Sequence, residues 1–194
     1  MNNLKRFLEK INMIQITDEA IDRVMEDSYD ANKQGRSILF IESIQKRIED
    51  EQPLLARYIE SGYRAIVTEH LGDERLFLSS GYLAACGLVF RIVDKQCKLN
   101  GIEHPVVTKE DIDRANDRAT LREEMHGGGQ MLEKRIRELL GENKSFGIYL
   151  FNYVSNQAPN ELVARGFAMG AIGTYSVYEQ SFVRTRASSQ KTSS

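Results

Sequence analysis

Tryptophan is missing from this chain of 194 residues, and cysteine, proline and histidine are scarce, at two, three and three. Each shortage excludes something. Cys86 and Cys97 are too few for a disulfide framework. On one helix they would stand roughly 16 Å apart, well past the ~7 Å a disulfide spans. Two reduced thiols in or near a core are expected, which suits a reducing compartment. Prolines stand only at 53, 105 and 159, so the long spans between them are open to helix. His70, His104 and His126 are the whole imidazole supply for catalysis or metal binding.

Charge of one sign is also lacking. A net charge of −2 gives no basic excess, so nucleic acid and membrane surfaces are not expected partners. The most apolar uncharged run, Leu76 to Phe90, is 15 residues, short of the ~20 that span a bilayer. The first residues, Met-Asn-Asn-Leu-Lys-Arg-Phe, carry charge where a signal peptide needs an apolar run. A cytoplasmic protein is expected. No Gly-x-Gly-x-x-Gly or Gly-x-x-x-x-Gly-Lys loop appears, and no cofactor is identified. His126-Gly127-Gly128-Gly129 has the look of an esterase oxyanion loop but no Gly-x-Ser-x-Gly elbow to serve.

What is present reads as helix. Hydrophobic residues at 41 % and charged residues at 28 % are ordinary for a folded domain. The uncharged run lies inside a helix expected over about 73–99, closed by Asn100-Gly101. A helix apolar on most sides belongs at the centre of others. The fold class is therefore all-α, a single-domain bundle of about seven to nine helices with a central apolar helix. Residues 1–183 form the domain, and 184–194 a polar tail without fixed structure.

Around that helix the three- and four-residue steps predict a helix over 4–14, another from Thr17 to Gly35, and a third from Ser37 with Ile41, Ile44 and Ile48 inside. Pro53 opens the next, and Gly72 ends it. Ile102 to Val107 is the clearest connector. Thr108 and Asp111 make a capping box for a short helix to about Ala115. From 119 to 140 the helical phase crosses three glycines, which favours a break there. Residues 146–154 suit a strand by composition, but a lone strand has no partner, so helix is preferred. A last helix is expected over 159–182.

Two small-residue faces need a reason. Three glycines in the last helix, Gly166, Gly170 and Gly173, forfeit roughly 3 kcal/mol against alanine. Gly81 and Ala85 make a similar strip on the central helix. The two strips can pack on each other, form a subunit interface, or line a pocket with Tyr82, Tyr175 and Tyr178. No complete catalytic set is present, so the leading expectation is a non-enzymatic interaction or assembly protein. It would self-associate through Gly81, Ala85, Gly166, Gly170 and Gly173, as a homo-oligomer or with a protein partner. The alternative is a helical metalloenzyme. Glu123 and His126 form one Glu-x-x-His, and Glu69 and His70 could add ligands, although a di-iron bundle needs a second such motif. Arg114, Arg118 and Arg122 share a helical face that could meet phosphates, but interleaved acids predict a salt-bridged surface.

Overall fold

The computed structural model describes residues 14–126 and 131–191. Among them are eight α-helices and no strand. The helices are α1 Asp18–Lys33, α2 Ser37–Glu51, α3 Pro53–Glu69 and α4 Gly72–Leu99, then α5 Lys109–His126, α6 Met131–Glu142, α7 Lys144–Asn152 and α8 Glu161–Lys191. A π turn, Tyr153–Gln157, follows α7.

Helices α4 and α8 are the inner pair, packed on each other more extensively than any other two. Small residues allow it. A methyl built on Gly166 would overlap the carbonyl of Leu78, and one on Gly170 the carbonyl of Tyr82. One on Gly81 would overlap the Val163 carbonyl and come within 2.9 Å of the Phe167 nitrogen. Ala85 beside them is fully buried. The two small-residue faces thus meet inside one chain and are not open to a second copy. Gly173 faces elsewhere, its missing methyl 2.9 Å from the Tyr58 hydroxyl on α3. Helix α4 is also long and apolar enough to cross a membrane, but 56 % of that window is buried in the fold, as in a core helix.

The outer helices are placed by short signals. Thr17 Oγ1 accepts from the Ala20 amide at 3.3 Å and starts α1. The capping box at α5 forms as expected: Asp111 accepts from the Thr108 amide at 2.9 Å, and the Asp111 amide reaches Thr108 Oγ1 at 3.4 Å. Gly101, at φ 63°, turns the chain out of α4 into the connector. There the buried Gln52 accepts from the Val107 amide at 2.9 Å and donates to the Pro105 carbonyl at 3.0 Å. Asn143 holds the start of the described chain in the same way, donating to the Ile14 carbonyl and accepting from the Ile16 amide.

Several expectations change. The helix from Thr108 does not stop near Ala115 but runs to His126, so 119–140 divides into two helices across the glycines, with 127–130 outside the described residues. The last helix passes Phe182 and continues to Lys191, in place of a tail from Arg184. Arg184 Nε donates to the fully buried Asp111 at 3.0 Å, which ties that turn down. In α2, Ile48 is buried but Ile41 is 62 % exposed rather than inside. Residues 146–154 are helical as preferred, with Phe146 and Leu150 in the core and Tyr149, Tyr153 and Val154 against it. The helix expected over 4–14 lies outside the described residues, apart from Ile14 itself.

Candidate functional site

Helix α2 explains the discrepancy at Ile41. Over its first half, Ser-Ile-Leu-Phe-Ile, no described helix covers the outer side, and Ile38, Leu39 and Ile41 are 73 %, 65 % and 62 % exposed. Beside it opens a groove of about 1260 Å³. Phe40, Ile41, Ile44 and Ile48 of α2 form one wall, and Ala56 and Tyr63 of α3 another. Leu83, Ala84 and Gly87 of α4 make the floor, and Tyr149 and Tyr153 close one side. Gly87 lets α2 come near, since a methyl there would stand 3.4 Å from Ile44.

One buried cation borders this apolar surface. Arg91 donates to Ser28 Oγ at 2.7 Å and to the Val24 carbonyl at 2.8 Å, with its guanidinium 4.5 Å above the Phe40 ring. Burial pulls it below the ordinary arginine range, against the raising effect of Asp27. Its bonds pin α1, α2 and α4 together at the groove's end. Polar groups on the rim are exposed, among them Glu49 on α2 and Arg57, Glu60 and Arg64 on α3.

The thiol at the groove's floor is not activated. Burial pushes this thiol, of Cys86, up to about 11, and that of Cys97 elsewhere in the core up to about 12. Tyr82, Tyr175 and Tyr178 fill the core and do not line the groove. Tyr175 accepts from Asn143 at 2.8 Å. His104 lies between Phe90 and Tyr178, tilted to the first and stacked on the second, with ring centres at 5.4 and 5.2 Å.

Of the four residues read as metal ligands, only Glu69 and His70 have described side chains. His70 Nδ1 pairs with Glu74 at 3.1 Å, and Glu69 is exposed beside it at the end of α3. Glu123 and His126 are on the helical path of α5, and their side chains lie outside the described residues. Among the described residues no three of His, Cys, Asp and Glu cluster as metal ligands. The arginine face is salt-bridged: Arg114 meets Glu110 at 2.6 Å, and Arg118 lies 3.6 Å from Glu179 on α8. The Arg122 side chain is outside the described residues.

His104 gives a testable pH response. Burial lowers its pKa, more than Asp94 and Glu51 raise it, with Arg47 and Lys98 also facing it and lowering it. The unfolded chain takes up that proton near pH 6.5. Stability is therefore complete above about pH 6.5 and falls as pH drops through the lower folded value. Asp94 and Asp111 also titrate below their ordinary value, burial being outweighed by Lys98 and by Arg184 respectively. Their contribution is lost only below about pH 3.8. The urea midpoint of the parent should fall between pH 7.5 and 5.5, and that of His104→Phe should stay level. Parallel slopes would dismiss His104 as the source.

The chain matches no protein-family model, no curated protein and no solved structure.

Proposed function

We propose that this protein is a non-enzymatic interaction protein that receives an apolar helix in the groove between α2, α3 and α4. The supporting observation is the groove itself, bordered by the exposed apolar half of α2. At about 1260 Å³ it exceeds the ~300–1,000 Å³ of ordinary small-molecule sites. Exposed apolar patches of this kind mark interaction surfaces, and an amphipathic helix laid into a groove is a recurring mode. This keeps the interaction class expected from the sequence but moves its surface, because the glycine faces are used inside the domain.

The reading is tested with labelled 14-residue helical peptides carrying isoleucine or leucine at i, i+3, i+4 and i+7, followed by fluorescence polarisation. The parent should bind them, and Ala84→Trp, which fills the floor, should weaken binding at least about tenfold. Peptides of the same composition with the stripe scrambled should not bind. Equal binding of striped and scrambled peptides would remove the proposal.

A further inference from the structure

We infer that the helix received by the groove is α2 of a second copy of this chain, in a two-fold dimer. The inference rests on the interaction reading above and names its occupant. Two observations carry it.

The first is that ridge and groove lie on the same surface. Ile38, Leu39 and Ile41 stand 62–73 % exposed on the helix that also walls the groove. A two-fold axis beside α2 lets each copy insert its ridge into the other's groove at once. An interface in which one patch meets itself is isologous and closes at two subunits.

The second is a charge register. Glu42 and Glu49 on α2 are seven residues apart, two helical turns or about 10.5 Å. Arg57 and Arg64 on the α3 rim have the same spacing. Glu42 and Arg57 are exposed and take part in no ion pair among the described residues, whereas Lys46 of α2 is paired with Asp50 at 3.0 Å. Glu49 accepts from Gln45 at 3.2 Å, and Arg64 pairs with Glu60 at 2.6 Å, both on the surface where such contacts exchange readily. With α2 of one copy running parallel to α3 of the other, Glu42 falls opposite Arg57 and Glu49 opposite Arg64. The two-fold repeats the set.

The test uses the full chain. Native mass spectrometry and sedimentation at about 10 µM should give twice the 22.1 kDa chain mass. Ile41→Glu should give a monomer with an unchanged circular dichroism spectrum, since the position is exposed. Glu42→Arg and Arg57→Glu should each raise the dimer dissociation constant roughly tenfold, because each removes its contact twice and places like charges together. Glu42→Arg with Arg57→Glu in one chain should return it to within about threefold of the parent. A parent that is monomeric yet binds striped peptides would overturn the second copy and leave the groove reading standing. A monomer that binds no peptide would overturn both. A dimer indifferent to Ile41→Glu, or one that the double exchange does not restore, would also overturn the inference.

Discussion

Gly170→Leu is expected to destabilise the fold strongly, by about 3 kcal/mol or more. Its side chain would have to occupy the space of the Tyr82 carbonyl, and a backbone atom in the inner helix cannot swing aside as a side chain can. Overpacking of this kind costs at least about 3 kcal/mol, against a total stability of about 5–15 kcal/mol. For a chain of this length that is a fall of about 6–12 °C in melting temperature. Gly170→Ala sharpens the test. Alanine is the better helix former by about 1 kcal/mol, so a glycine that is merely tolerated would be improved by it. Here the sign should reverse, because even a methyl meets the Tyr82 backbone. Gly141, with nothing within 4 Å of its missing methyl, should show the ordinary gain on change to alanine. If both alanine variants melt above the parent, close approach of α4 and α8 does not depend on Gly170.

Arg135→Leu is the second large effect expected. The Arg135 side chain is 2 % exposed, and its guanidinium meets Glu142 at 2.6 Å, Glu138 at 3.2 Å and Glu179 at 3.5 Å. Burial works to lower its pKa, but the three carboxylates outweigh it and hold the arginine charged. Glu179 is only 5 % exposed, so removing the arginine takes a counter-charge away from a buried carboxylate. Loss of one partner from such a cluster costs about 3–5 kcal/mol. Arg135→Leu combined with Glu179→Leu should recover part of that loss, since the stranded charge is then gone as well. Urea unfolding at pH 7 decides it: a single variant within about 1 kcal/mol of the parent would mean the cluster adds nothing net.

These two sites differ in how far the sequence exposes them. The glycines of α8 are conspicuous because each carries a helix penalty, and the charge-free run of α4 identifies the other member of the pair. That they meet within one chain and not between two chains needs the distances. Arg135 gives no signal. In Lys-Arg-Ile-Arg it looks like any arginine on a helix surface, and its burial depends on α6 crossing α8, a contact between positions far apart. Gln52, Gln96 and Asn143 are equally silent, since a polar amide at a helix end reads as solvated until the backbone it serves is in place. The groove is half legible. Ile41, Ile44 and Ile48 read as one apolar stripe, but periodicity alone does not say whether a neighbour covers all of it.

The inner pair also determines when the fold can form. Cys86 and the Gly170 carbonyl it approaches are 84 positions apart, a long separation for a helical protein, where most contacts are local. During synthesis α4 emerges well before α8 exists, and its most apolar surface must wait about 4–17 s at the usual elongation rates of ~5–20 residues per second. The nascent chain therefore carries an uncovered apolar helix through much of its synthesis. Its yield in a cell depends on what shelters that helix in the interval, and a chain truncated before Gly166 should be captured by chaperones and not accumulate as a folded fragment.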